Sequence, residues 1–157
     1  MKVYEIKYRQ VINSSMEEVF SFFSNAENLS KITPPKLKFK ILTPLPIKMQ
    51  QGQLIDYTIT LLGKKIRWRT IITEFENNIK FIDQQLKGPY SMWHHTHEFK
   101  LVNDKVEMID TISYVMPFGF LGRVVNFILV KHDLNKIFNY RFKYIEKFFN
   151  KEVEEKK

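Results

Sequence analysis

The strongest constraint on the fold is a series of segments in which apolar and polar residues alternate, separated by short turns. These segments cover about 37–43, 53–62, 65–76, 79–86, 91–102 and 105–115. A period of two predicts β-strands. The connections contain turn-forming residues such as Gly52 and the pair Asn103 and Asp104, and they are too short for crossover helices. The pattern therefore predicts an antiparallel meander.

The segments on either side complete the order of elements. Residues 2–12 alternate as a further strand, and Ser15 and Glu18 then stand at the spacing of a capping box, which predicts a short helix. Residues 26–32 can form one or two more helical turns before Pro34 and Pro35 end them. After residue 119 the apolar period changes to 3.6, which predicts one long helix from Phe120 to about Asn150. Its apolar stripe consists of Phe127, Val130, Leu134, Phe138, Phe142, Ile145 and Phe149.

This order predicts a single α+β domain. The chain has 157 residues, and we expect the domain to cover residues 1–151, followed by a frayed tail at 152–157. About seven antiparallel strands, two short helices after strand 1 and one long C-terminal helix can bury both apolar faces only if the sheet curves around the long helix. Such a curved sheet tends to leave a cavity between itself and the helix.

Composition narrows the function classes. The chain has no cysteine, which excludes disulfides, thiol nucleophiles and cysteine-ligated metals. We expect a cytoplasmic protein, because the first ten residues alternate and do not form the apolar core of a signal peptide. The net charge is +8, but basic residues such as Lys65, Arg67 and Arg69 alternate along strands, as on a solvated sheet face. No nucleic-acid-binding motif is present, so we expect no nucleic-acid partner.

The segment "GPYSMWHHTHEF", residues 88–99, contains three histidines on a predicted strand. Alternation places Trp93, His95 and His97 on one face, which we expect to point inward. If Asn103 and Asp104 form a two-residue turn, His97 lies opposite Asp110.

The same register places Trp93 opposite Tyr114. A three-residue connection on the other side places Asp83 opposite His95 and Gln85 opposite Trp93. We therefore predict two buried carboxylate and histidine pairs, Asp83 with His95 and Asp110 with His97, beside Trp68.

Four interpretations of this cluster remain open. The groups can close on themselves as a satisfied polar patch, or they can hydrogen-bond the polar end of an apolar guest. His95 and His97 have the spacing of metal ligands, although a carboxylate partner for each also suits plain hydrogen bonding, and we expect neither a metal nor a cofactor. Finally, a histidine oriented by a carboxylate can act as a general base, with Tyr114 as the acid.

The order of elements, together with "FIDQQLKGPYSMWHHTHEF" at 81–99 and "VEMIDTISYVMPFGFLG" at 106–122, resembles the helix-grip START and polyketide cyclase-like superfamily. It is most similar to the bacterial cyclase/dehydrase-like, ligand-binding branch. The resemblance implies a hydrophobic cavity between the sheet and the C-terminal helix that holds a lipid, polyketide, isoprenoid-like or similar small molecule. It does not imply one activity.

We favour binding or transport of a small hydrophobic molecule over catalysis. A cyclase or dehydratase acting through His95, His97, Asp110 and Tyr114 is the main alternative, and a protein or nucleic-acid interaction module that uses the basic sheet face is the third. Apolar loops beside basic residues also suggest transient contact with an anionic membrane surface. The predicted ligand-binding residues are Trp68, Asp83, Gln85, Trp93, His95, His97, Asp110, Tyr114, Phe127, Leu134 and Phe138.

Overall fold

A curved antiparallel sheet of seven strands forms the body of the protein. The computed structural model describes residues 2–155, apart from the side chains of 123, 126, 127 and 151–155. The strands are β1 (Val3–Ile12), β2 (Lys40–Ile41), β3 (Leu54–Leu61), β4 (Lys64–Glu76), β5 (Lys80–Lys87), β6 (Met92–Val102) and β7 (Lys105–Val115). Their order in the sheet is β1-β7-β6-β5-β4-β3-β2. This is the predicted meander, with the first strand added beside the last.

The segment between β1 and β3 is more helical than predicted. Helix α1 (Met16–Phe23) begins as expected, since the Ser15 side chain accepts a hydrogen bond from the backbone N–H of Glu18. Two 3-10 turns follow, at Ala26–Ser30 and Pro35–Leu37. The second turn ends in Lys38, which has a left-handed backbone with φ of 46°. The predicted strand at 37–43 is therefore reduced to the two residues of β2.

The C-terminal helical region is not one continuous α-helix. Helix α2 (Gly119–Val125) passes through a π-helical turn (Asn126–Val130) into α3 (Lys131–Glu155). The predicted apolar stripe is confirmed where Leu134, Phe138, Ile145 and Phe149 are buried, whereas the side chain of Phe127 lies outside the described residues. Helix α3 is described as far as Glu155, and the predicted domain boundary at residue 151 stays a prediction.

The strand registers that define the site agree with the sequence prediction. In the β6 and β7 hairpin, Trp93 pairs with Tyr114, His95 with Ile112 and His97 with Asp110. In the β5 and β6 pair, Asp83 pairs with His95. The two-residue turn at Asn103 and Asp104 and the longer connection after Lys87 thus fix which side chains share a face.

Packing divides the interior into regions with different character. Near α1, phenylalanines such as Phe20, Phe99 and Phe149 pack into a dense aromatic and aliphatic cluster. Farther along the sheet, Trp68 and Trp93 pack with aromatic residues of neighbouring strands and with α3. The cavity described below has walls in both regions. Among the described helices, none has the length and apolar character needed to cross a membrane.

Candidate functional site

A largely apolar cavity lies between the concave face of the sheet and α3. Its volume is about 170 Å³. The apolar walls come from three sources: the helical turns before β2 provide Leu29 and Ile32, the sheet provides Trp68 and Trp93, and α3 provides Leu134. A dry cavity of about 150 Å³ in another protein accommodates benzene, whereas drug-sized ligands occupy about 300–1,000 Å³. In the described conformation the cavity therefore suits a molecule of one or two rings.

A cluster of four ionisable side chains adjoins this cavity, and three of them, Asp83, His95 and His97, line it. The Nε2–H of His95 donates to Asp110 Oδ1 and the Nε2–H of His97 donates to Asp83 Oδ2, each over 2.8 Å. The other ring nitrogens also approach carboxylates: His97 Nδ1 lies 2.8 Å from Asp110 Oδ1, and His95 Nδ1 lies 3.6 Å from Asp83 Oδ2. Both predicted pairs, His97 with Asp110 and His95 with Asp83, are therefore present, and each histidine in addition contacts the other carboxylate, which the sequence did not predict. Register places Asp83 opposite His95 and Asp110 opposite His97, and the Nε2 hydrogen bond of each histidine runs to the carboxylate of the other pair.

The two histidines differ in their tendency to carry a proton. Burial opposes the charged form of His97, but its contacts with Asp110 and Asp83 outweigh burial and raise the pKa of His97 above its ordinary value. Burial and the neighbouring His97 charge lower the pKa of His95, although Asp110 and Asp83 act in the opposite direction. A protonated His97 beside a neutral His95 is the arrangement that these shifts favour.

Both carboxylates remain ionised. Burial alone would raise the pKa of Asp110, but its contacts with His95 and His97, together with Arg141, hold that pKa far below the ordinary value. The pKa of Asp83 is also lowered, because its interactions with both histidines outweigh burial. The cluster therefore keeps two negative charges on the buried sheet face.

Arg141 is the main functional candidate that the sequence analysis missed. Its side chain is only 10% exposed, it lines the cavity, and its Nη1 lies 3.5 Å from Asp110 Oδ1. The guanidinium also lies 4.7 Å from the centre of the Phe138 ring. Within the part of the chain that the structure describes, neither Nε nor Nη1 has a hydrogen-bond partner. The available signal was the position of Arg141 in the apolar stripe, three residues after Phe138 and four before Ile145.

Aromatic side chains form the wall beside the cluster. The rings of Trp68 and Trp93 meet edge to face with their centres 5.5 Å apart, and Tyr57 stacks on Trp68. The indole N–H of Trp68 is buried and has no hydrogen-bond partner among the residues that the structure describes. Burial and the nearby Asp83 charge raise the pKa of Tyr57 well above its ordinary value, so its hydroxyl stays neutral.

Not all predicted ligand-binding residues reach the cavity. Those that line it are Trp68, Asp83, Trp93, His95, His97 and Leu134. Asp110 lies behind the histidines, and Tyr114 and Phe138 support the aromatic wall without lining the cavity. Gln85 turns back instead, and its Nε2 donates to the backbone carbonyl of Tyr90 over 2.7 Å, so that it braces the connection between β5 and β6.

The basic face of the sheet is partly neutralised. Arg69 makes two hydrogen bonds to the Asp56 carboxylate, of 2.9 and 2.7 Å, and Arg67 Nη2 lies 3.5 Å from the same group. These contacts lower the pKa of Asp56. Two of the three alternating basic residues on β4 therefore have an acidic partner within the sheet, which weakens the case for a polyanion-binding face.

Comparison with known proteins identifies the fold. No protein-family model and no curated protein matches the sequence. Among solved structures, TTHA0849 from Thermus thermophilus shares 17% identity, with 92% of this chain and 95% of that chain aligned at a TM-score of 0.66. The Zhui aromatase/cyclase from Streptomyces sp. R1128 shares 12% identity, with 97% and 96% aligned at a TM-score of 0.76.

A plant protein has the same architecture. The major latex-like protein 151 of Panax ginseng shares 9% identity, with 94% of this chain and 97% of that chain aligned at a TM-score of 0.68. These alignments cover nearly the whole of each chain, and they confirm the helix-grip fold that the sequence resemblance predicted. At such low identity they extend to the fold and not to an activity.

Proposed function

We propose that this helix-grip protein binds a small, mainly apolar molecule in the cavity and holds its polar end through a hydrogen-bond acceptor. The observation that carries the proposal is that Arg141 and Trp68 line the cavity and that, among the described residues, their buried Nε, Nη1 and Nε1 donors have no hydrogen-bond partner. A buried donor without a partner costs stability. A guest oxygen that accepts from these groups would offset that cost.

The charge balance favours a neutral guest. Asp83 and Asp110 carry two negative charges, Arg141 carries one positive charge, and His97, whose pKa is raised, adds the second when it is protonated. An added anion or cation would disturb this balance in a poorly solvated site. The proposed guest is therefore an aromatic or alicyclic ketone, ester or similar oxygen-bearing hydrocarbon. The enzymatic alternative uses the same cluster and stays a prediction.

Two probes of nearly equal shape can test this proposal. We expect 2-acetylnaphthalene, a ketone, to bind about tenfold or more tightly than 2-ethylnaphthalene, since only the ketone accepts hydrogen bonds. Trp68 and Trp93 are the only tryptophans of the chain and both line the cavity, so intrinsic fluorescence reports binding.

The matched variants are Arg141→Met and Arg9→Met. Methionine keeps an unbranched apolar stem at Arg141 but removes its donors, and the preference for the ketone should largely disappear. The Arg9 side chain is 64% exposed and pairs with Glu107, so Arg9→Met should leave both affinities unchanged. Equal affinities of the two probes for the unmodified protein would contradict recognition by Arg141. If neither probe changes the fluorescence or competes for the cavity, guest binding of this size is wrong.

A further inference from the structure

We propose that Asp83, His95 and His97 form a binding site for one divalent transition-metal ion, best suited to Zn²⁺, at the polar end of the cavity. The site shares the cavity with the proposed guest but needs neither Arg141 nor the tryptophans, and the metal would replace the proton of His97, so that the charge of the cluster rises by one. It also goes against the expectation from sequence, where the apparent pairing of each histidine with one carboxylate favoured plain hydrogen bonds.

The ligand atoms already have the spacing of a metal site. Asp83 Oδ2 lies 2.8 Å from His97 Nε2 and 3.6 Å from His95 Nδ1. One ligand atom from each residue can be chosen so that all three lie within 4.8 Å of one another. Zn²⁺ with bonds of about 2.0–2.1 Å in a tetrahedral site separates its ligand atoms by about 3.3 Å. The first two distances lie on either side of this value, so small side-chain rotations suffice.

The hydrogen bond from His95 Nε2 to Asp110 leaves the lone pair of His95 Nδ1 close to the Asp83 carboxylate. In its neutral form His95 donates from Nε2 to Asp110, so Nδ1 carries a lone pair. That nitrogen lies 3.6 Å from Asp83 Oδ2, which is also an acceptor. Two acceptors that face each other in a buried site repel unless a cation lies between them. A metal ion bound to both atoms removes this repulsion.

Asp110 is placed to orient both histidine ligands. With a metal on His95 Nδ1 and His97 Nε2, the remaining nitrogen of each ring faces Asp110 Oδ1, and both distances are 2.8 Å. His97 Nδ1 has no aligned hydrogen-bond partner in the described arrangement. Rotation of the ring onto a shared metal would allow its Nδ1–H to donate to Asp110. A carboxylate behind a metal-bound histidine is the usual supporting arrangement of such sites.

The remaining coordination position faces the cavity. Asp83, His95 and His97 all line the cavity, whereas Asp110 lies behind them. Three protein ligands with one open position are typical of zinc sites that bind water or substrate. With neutral histidines, the two carboxylates and Arg141 carry a net charge of −1, which a divalent ion changes to +1. The metal-loaded site would therefore accept one anionic oxygen, such as hydroxide or an enolate.

The experiment measures metal binding directly on the untagged, full-length protein after treatment with a chelator. Isothermal titration with Zn²⁺ gives affinity and stoichiometry, and Co²⁺ reports ligand geometry through its visible absorption. We expect one Zn²⁺ per chain with micromolar or tighter affinity. Asp83→Asn and His97→Ala should each weaken binding by about 100-fold or more, and Asp110→Asn by about 10–100-fold, as expected for an outer-shell partner.

His94→Ala is the matched control, because His94 lies on the same strand but alternates to the opposite face. It should bind Zn²⁺ as the unmodified protein does. Circular dichroism must show that each variant is folded, and Asp83→Asn, which conserves shape, keeps the test valid if His97→Ala unfolds. Binding that is absent, that survives in Asp83→Asn, or that weakens equally in His94→Ala overturns the proposal. None of these outcomes affects the ketone preference assigned to Arg141.

Discussion

Asp110 is the residue on which the buried polar cluster depends. It is 2% exposed and contacts His95, His97 and Arg141. Burying a carboxylate is costly, and here three potential cations compensate that cost. Because one carboxylate contacts all three groups, removing the charge of Asp110 deprives more than one of them of an ionic partner. Removing Arg141, in contrast, still leaves Asp110 between two histidines.

This asymmetry predicts different effects on stability. We expect Asp110→Asn to lower the free energy of unfolding by about 3 kcal/mol, within the range measured when one partner of a buried ion pair is removed. Arg141→Met should change it by no more than about 1 kcal/mol, because two of the guanidinium donors make no hydrogen bond to any described residue. Urea unfolding followed by circular dichroism measures both values.

Asp104→Asn serves as the control for Asp110→Asn, because it makes the same chemical change in the exposed turn between β6 and β7. It should have little effect on stability. Equal destabilisation by Asp110→Asn and Arg141→Met would mean that Arg141 contributes structurally as much as Asp110. The interpretation of Arg141 as a residue kept for the guest would then be wrong.

At the scale of elements, the hairpin of β6 and β7 positions the cluster. It carries His95, His97 and Asp110, and its turn has left-handed backbone at Asn103 and Asp104, with φ of 50° and 61°. Two consecutive left-handed residues define a type I′ turn, whose twist matches that of the strands. This turn fixes the register, and a slip of one residue would move the histidines to the outer face.

Asp104→Ala should destabilise the protein by about 1 kcal/mol. A left-handed backbone brings Cβ close to the following carbonyl oxygen, and alanine, unlike aspartate, has no polar side chain that can compensate with a local hydrogen bond. Asp104→Gly should be neutral or stabilising, since Asn-Gly is the preferred pair for this turn. Urea midpoints at constant slope distinguish the two. If both variants are equally destabilised, the loss comes from the aspartate side chain and not from the backbone conformation.

The elements also show what sequence could and could not predict. The register of β5, β6 and β7 follows from the number of residues in the turns after Lys87 and Val102. The sequence therefore predicted that Asp83, His95 and His97 lie on the same face of the sheet. The additional hydrogen bond of each histidine to the second carboxylate did not follow from the sequence, because it depends on side-chain rotamers.

Arg141 was missed for a related reason. Alternation along a strand assigns each side chain to one of two faces. A helix can rotate about its axis, so the sequence alone does not fix which side chains at the edge of its apolar stripe point inward. For Arg141, packing of the helix against the sheet decides this. The helical turns before β2 presented the same difficulty. Leu29 and Ile32 line the cavity, but their segment is irregular, and no hydrophobic periodicity predicts where its side chains point.

At the scale of the whole molecule, apolar side chains are exposed at the beginning of the C-terminal helical region. We call the group an apolar segment, and it consists of Phe118, Phe120, Leu121, Val124, Val125, Ile128 and Leu129. Phe118 is 84% exposed and Leu121 69%. Exposed apolar patches on a folded domain often mark contact surfaces. Lys131 and Lys136 lie on the helix that follows and are also exposed, and the chain as a whole carries a net charge of +8.

An apolar segment on a basic protein is suited to an anionic membrane surface, as the sequence also suggested. We expect the protein to cosediment with phosphatidylglycerol vesicles more strongly than with phosphatidylcholine vesicles, and to be released as salt is raised. The double variant Phe118→Ser and Leu121→Ser should bind about tenfold or more weakly, because the apolar area available for insertion is reduced. Leu101→Ser, which alters a residue 65% exposed on β6, should bind unchanged. Equal binding to both lipids, or equal loss in the Leu101→Ser control, would contradict a membrane-facing role for this segment and favour a protein partner on the same surface.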